Sequence, residues 1–376
     1  MSRKQMGITP SDDFGKDPRH SANAAGLSPE ECPHKRDGRI DNLKCLAILS
    51  VIWAHTSIPS LVMHYRTYDV VLLFLLSGMS LFLSRQHSSS AGKEKESLGS
   101  YIWVRIRKLL LPAYAVITVS YFTIVVLCFL FHQEQLFPLQ KYLLAILLTN
   151  RGLGFVWIIK IFLLAALLSP WFCSISAKIR NDGTFLILIV GGLLMQMLLC
   201  MGTACLVRNG IPFFLQVILE DYIAGCFGYL VVYAAGIRLI QSKPFCRYLL
   251  AASLLLFLIM QLQYQSFCPN SAKYPPNLYY LSYGLLVSSI LWMVIPSRSC
   301  RFTEWVGKRS YDIYLFHILF YYIAPFISIR KWQICYPYLL LGAFLLTWIW
   351  PAVADKIKYF FRLFSNYLKT AFSRLG

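Results

Sequence analysis

Residues 39–56 read RIDNLKCLAILSVIWAHT. From Cys45 onward the run is apolar enough for the hydrocarbon of a membrane, and it is flanked by Lys44 and His55, eleven residues apart. Eleven steps of 100° return a helix to within about 20° of its start, so Lys44 and His55 share one face, about 16 Å apart along the axis. Asp41 lies on the same face. Ionisable side chains inside a span are costly and are functional candidates by default. The stripe presents a cation at one mouth of the span and an imidazole deep within it, which suits a ligand that enters phosphate-first and reaches inward. A snorkelling lysine or a packing histidine would explain either residue alone; the aligned pair favours the functional reading.

The rest of the chain reads the same way. Of 376 residues, 57% are hydrophobic and only 14% charged, with 26 Phe and 23 Tyr, and mean hydropathy is +0.56. A soluble domain carries about 25% charged residues. Composition therefore excludes a soluble enzyme, a disordered chain and a nucleic-acid-binding module, despite a net charge of +19. The expected fold is an all-α polytopic membrane protein of about ten spans, near 42–63, 69–84, 110–131, 154–173, 183–205, 212–235, 247–265, 277–295, 310–328 and 335–353. The stretch 139–149 is too short to cross. Residues 1–38 read as a polar cytoplasmic tail, 39–354 as the membrane domain, and 355–376 as a basic amphipathic helix in the headgroup layer.

With the N-terminus inside, the inner segments hold 27 Lys and Arg and the outer loops seven. That asymmetry places both termini in the cytoplasm. Residues 101–109 (YIWVRIRKL) form a second basic amphipathic segment, expected in the inner headgroup layer, where Arg105, Arg107 and Lys108 can meet a phosphorylated cytoplasmic ligand.

Further charges fall within the spans. Asp69 opens the second span close in sequence to His55, where it could orient the imidazole or pair with Arg66. Ser77 and Gly78, further along, read as a close-packing pair. Lys160 in the fourth span and Glu220 and Asp221 in the sixth lie at similar depths. They suit either a structural ion pair or a polar acceptor pocket. His317, in GKRSYDIYLFH, is a second intramembrane imidazole. There is no Cys-x-x-Cys among the eleven cysteines, and no metal is expected in the site.

These segments together resemble the membrane acyltransferase-3 family. DNLKCLAILSVIWAHT resembles its first-helix motif of a basic residue, ten others and a histidine. VVLLFLLSGMSLF, WVRIRKLLLPAY, GFVWIIKIFLLAALLSP and VGKRSYDIYLFHI resemble later motifs in the expected order. Lys44, where many members carry Arg, resembles the fucose 4-O-acetylase-like branch found with exopolysaccharide genes.

The resemblance implies a membrane O-acyltransferase of the bacterial cytoplasmic membrane. Acetyl-CoA, or another acyl-CoA, would donate from the cytoplasm, with Lys44, Arg105, Arg107 and Lys108 on its phosphates. The acceptor would be a hydroxyl of a surface polysaccharide or lipid-linked glycan, with Lys160, Glu220, Asp221 and His317 on the acceptor side. His55, assisted by Asp69, would act as general base or carry the acyl group covalently. A glycan or metabolite transporter is the competing class; it would show matching broken helices in two halves, and the sequence shows no such correspondence.

Overall fold

The computed structural model describes residues 37–90, 97–133 and 138–372, with side chains described as far as Lys356 except at 88–90, 98 and 354. Residues 1–36, and with them nearly all of the expected tail, lie outside the described residues. The helices are α1 (Gly38–Ala54), α2 (Ser60–Arg66), α3 (Asp69–Ser90), α4 (Leu98–Leu130), α5 (Leu139–Ile146), α6 (Trp157–Lys178) and α7 (Asp182–Arg208). They continue with α8 (Phe213–Val217), α9 (Gly225–Gln241), α10 (Phe245–Tyr264), α11 (Leu278–Val294), α12 (Arg301–Lys308), α13 (Ser310–Ile323) and α14 (Trp332–Phe372). Among the described residues all regular structure is helical.

Seven of these stretches are long and apolar enough to cross a membrane: Ser60–His87, Gly99–Leu130, Trp157–Lys178, Asp182–Arg208, Phe213–Gln241, Phe245–Tyr264 and Trp332–Val353. At the other three expected spans the helices are shorter: α1 and α11 have 17 residues and α13 has 14. A hydropathy run extends through turn residues that a helix does not. The run 42–63 includes Ser57 and Pro59, and α1 stops at Ala54 with His55 as its C-cap. His55 therefore sits at the end of its helix, where the chain reverses into α2. Residues 101–109 do not form a separate surface helix; they are the first turns of α4, which runs straight through Pro112. The α5 helix has eight residues, in keeping with a segment too short to cross. At the other end of the chain, α14 continues past the expected boundary at 354 to Phe372 without a break.

The centre of the bundle is α3. Val71, Leu72, Phe74, Leu75 and Leu76 are all fully buried, and a helix apolar on every side belongs inside a bundle. The Ser60–His87 stretch is far more buried than α7. The outer face of α7 leaves Ile187 and Leu198 exposed, as lipid-facing positions require.

What lets α3 and α9 meet closely is glycine on both sides. A Cβ on Gly78 would stand 2.2 Å from the carbonyl oxygen of Tyr233, and one on Gly236 would stand 2.0 Å from that of Leu75. Neither position has room for any side chain, and small residues at a crossing are how membrane helices gain contact without a hydrophobic drive. The packing role expected of Gly78 is thus met by a partner, Gly236, in a distant span.

Candidate active site

Two cavities lie along the stripe of α1. Lys44 and Ile48 line the first, of about 320 Å³; Val51, Ala54 and His55 line the second, of about 200 Å³. The spacing 44, 48, 51, 55 is one helix face, so the face predicted from the sequence is the one turned to both cavities. Three other helices also border both. The α3 helix offers Leu73 and Ser77 to the first and Asp69 to the second, and α6 offers Phe162 and then Trp157. On α13, Tyr314 lines both cavities and stands between them. Its hydroxyl donates to the carbonyl of Phe155, which fixes the ring at the meeting of the two linings.

The first cavity gathers the cations. Lys44, Arg105 and Lys108 line it together, from α1 and α4. The guanidinium of Arg105 lies over the Tyr101 ring, 5.1 Å from its centroid, which limits the positions it can take. Arg107 is exposed and is not part of the lining, because two residues along a helix is a turn of about 200°. Asp41, expected on the Lys44 face, is buried against Gly307 of α12 instead.

The second cavity holds the imidazoles. His55 Nδ1 is 2.7 Å from His317 Nε2, and the rings are nearly parallel, 6° apart. His317 is fully buried, and its Nδ1 bonds the backbone oxygen of Tyr314. Phe155 packs beside both rings, at centroid distances of 4.0 Å from His55 and 6.3 Å from His317.

These contacts settle the tautomers of the neutral pair. A carbonyl oxygen only accepts, so His317 Nδ1 carries a hydrogen and its Nε2 a lone pair. His55 must then donate from Nδ1, which leaves the lone pair of His55 on Nε2. An imidazole held in that tautomer is a base.

Asp69 serves a different neighbour from the one expected of an orienting carboxylate. It is fully buried, forms an ion pair with Arg66 and accepts the backbone N–H of Val70 at 2.8 Å. Its hydrogen bonds reach neither imidazole; the orienting group on His55 is His317. Arg66 also donates to the carbonyl of Ser50 at 3.2 Å, tying the α1–α2–α3 corner together.

Lys160, Glu220 and Asp221 line neither cavity. Lys160 is buried with its Nζ 4.3 Å from the Tyr222 ring centroid. Both carboxylates form ion pairs with Arg151, from the loop before α6; Lys160 attracts Asp221 from further off and, among the described residues, forms no ion pair with either. Arg151 reaches Glu220 at 2.5 Å and Asp221 at 3.8 Å. Glu220 and Asp221 sit in a wide π-type turn, Ile218–Ala224, between α8 and α9, a widening often found where side chains serve a function.

The residues missed from sequence are Tyr314, Phe155 and Lys273. Tyr314 and Phe155 stand within quoted motifs, three residues before His317 and two before Trp157. Lys273 is in the loop between α10 and α11 and lines the second cavity. Burial pushes its ammonium down to about 8, against the pull of Asp69 in the opposite direction.

The fold and site define a multi-pass membrane protein with two neighbouring cavities that share Tyr314 in their linings. A family model described as an acyltransferase domain matches residues 37–356, and the chain belongs to this acyltransferase-3 family of membrane acyltransferases. No curated protein and no solved structure matches it.

Proposed function

We propose that this membrane acyltransferase transfers an acyl group, acetyl in the first instance, from cytoplasmic acyl-CoA to a hydroxyl of an extracytoplasmic or lipid-linked glycan. The bilayer is the bacterial cytoplasmic membrane, crossed ten times with both termini inside, and the C-terminal stretch 355–376 lies in the inner headgroup layer. The chain fits the fucose 4-O-acetylase-like, exopolysaccharide-modifying branch.

The observation that carries the reading is the placing of the two cavities side by side along α1. Lys44, Arg105 and Lys108 occupy one chamber, His55 the next, and Tyr314 the boundary between them. The cations suit the phosphates of a CoA ester, and a thioester delivered past Tyr314 meets His55. The Nε2 lone pair of His55 takes the proton from the acceptor hydroxyl as its oxygen attacks the thioester carbonyl carbon. The tetrahedral adduct collapses, the C–S bond breaks, and the imidazolium returns its proton to the departing thiolate. An ester and free CoA thiol leave, and His55 regains its starting tautomer.

The test is acetyl transfer from labelled acetyl-CoA into surface glycan, in membranes with the wild-type chain or with His55→Ala at equal protein level. Loss of label in His55→Ala is expected. Full labelling in that variant, or none in wild type, would overturn the reading.

A further inference from the structure

The second cavity carries more positive charge than its own residues balance. Its charged lining groups are Arg66, Lys273 and Asp69. Arg66 is 4% exposed and Lys273 6%. Asp69 takes up one cation, Arg66, through Nη1, and the Arg66 Nε turns to the sulfur of Met63 at 3.3 Å. Among the described residues, Arg66 Nη2 has no hydrogen-bond partner. Among the described residues Lys273 Nζ has neither a hydrogen bond nor an ion pair; it lies 5.5 Å from the Tyr274 ring and within the fields of Asp69 and Arg66. The Arg66–Asp69 pair is explained as a clamp on the α2–α3 corner, and that one carboxylate, already paired with Arg66, is shared in its field with Lys273, so two cations face a single anion. An unpaired buried charge is costly, and such a group in a cavity marks a place where a ligand supplies the counter-charge.

We infer that the second cavity receives a carbohydrate acceptor bearing one negative charge, a carboxylate or a phosphate. The anion lies between Lys273 Nζ and Arg66 Nη2 while a hydroxyl of the same sugar faces His55 Nε2. At about 200 Å³, below the roughly 300–1,000 Å³ of drug-sized sites, the cavity takes one sugar unit of a longer glycan. The inference rests on the acyl-transfer reading and adds the class of acceptor to it. Asn270, also in the lining, is held by the Thr67 hydroxyl at 3.0 Å and by its own N–H on His64 at 3.3 Å. These bonds fix the loop that carries Lys273.

The experiment uses the full chain in lipid nanodiscs with acetyl-CoA and three acceptor probes: methyl glucuronide, methyl glucoside, and methyl glucoside phosphorylated on its primary hydroxyl. Both anionic probes should exceed the neutral one in kcat/KM by about tenfold or more, the worth of one charge-assisted contact. If only one anion gains, it identifies the group. Lys273→Gln should collapse that ratio towards one, and Lys273→Arg should keep it. Equal rates for all three probes in wild type would overturn the inference. So would a Lys273→Gln effect of the same factor on all three, since the charge would then serve the reacting oxygen rather than the acceptor.

A binding arm separates this inference from the reading beneath it. Thermal stabilisation of the His55→Ala protein by each sugar needs no chemistry. Preference for the anionic sugars there, lost in Lys273→Gln, would support the anion site even if no acetyl transfer were found. Absence of that preference would refute the site even if transfer occurred.

Discussion

The Nδ1 of His55, at the end of α1, lies 2.7 Å from the Nε2 of His317, in α13, across 262 positions of sequence. The far nitrogen of His317 is anchored on the Tyr314 carbonyl. The two contacts hold His55 as the Nδ1–H tautomer, with its basic nitrogen free. In the proposed reaction His317 would therefore act through His55, as a positioning residue.

Removing that support should slow the chemistry without weakening donor binding. His317→Ala is expected to lower kcat by about tenfold or more, and His55→Ala by the 10²–10⁴ that a general base contributes. His317→Gln should recover part of the loss, because a Gln side-chain oxygen can accept from His55 Nδ1. Steady-state kinetics with acetyl-CoA varied will show it: kcat falls and the donor KM holds. A fall confined to KM, or no difference between Gln and Ala, would remove His317 from this role.

This pairing also marks where sequence reading runs out. The stripe on α1 is legible because helical periodicity is local: Lys44 and His55 are eleven residues apart, and the same face supplies Ile48 and Val51 to the cavities. That His55 caps the end of α1 is not legible in the sequence, because a hydropathy window runs through Ser57 and Pro59, whereas the helix ends at Ala54. Nothing in the local pattern says that His317 meets His55, or that Arg151 supplies the ion pairs of Glu220 and Asp221. Those contacts depend on how helices far apart in the chain are laid side by side. Arg107 shows the converse: a basic run of three contributes only the two side chains on the facing side of its helix.

The cation chamber should govern donor affinity. Lys44→Ala and Arg105→Ala should each weaken binding of acetyl-CoA, by about tenfold if each supplies one charge-assisted contact. Arg107→Ala should leave it unchanged, since Arg107 is exposed outside the lining. Lys44→Arg should keep most of the affinity. Titration calorimetry on purified protein reads this directly. Equal effects from Arg105 and Arg107 would mean that the phosphates meet the open surface of α4 and not the chamber.

The α3–α9 crossing should tolerate nothing larger than glycine. Gly236→Val puts carbon atoms on the Leu75 carbonyl and should cost about 1–3 kcal/mol or more, seen as a lower thermal midpoint in detergent. Gly191 is the control, because a Cβ there meets nothing within 4 Å. Gly191→Ala should be neutral or raise stability by about 0.5–1 kcal/mol through helix propensity. A Gly236→Val protein as stable as wild type would contradict the close approach of α3 and α9.

Lys273 gives the site a pH dependence of defined sign. Burial lowers its ammonium to about 8, against about 10.4 in an unfolded chain. The charged form is thus disfavoured by folding: the cost is present below about 8 and is relieved as pH rises from there to about 10.4. Binding of methyl glucuronide should weaken as pH rises from 7 to 9 and Lys273 loses its charge. The sugar carboxylate stays ionised over that range. Methyl glucoside should show no such trend, and Lys273→Arg should flatten it for the glucuronide. An equal slope for both sugars would place the titrating group elsewhere.

The last prediction concerns sidedness, on which donor supply depends. The count of 27 basic residues against seven puts the loop between α11 and α12 in the cytoplasm and the turn after α1 outside. Cys300 is exposed in the first of these, and Ser57 is exposed in the second. In a variant keeping Cys300 as its only cysteine, an impermeant maleimide should label the protein only after the cells are opened. In a variant whose only cysteine is Ser57→Cys, intact cells should be labelled. This arrangement turns the chamber of Lys44, Arg105 and Lys108 to the compartment that holds acyl-CoA, and leaves the Lys273 cavity for a glycan arriving from the other side. The reverse labelling would put the cation chamber where there is no CoA ester, and the proposed direction of transfer would fail with it.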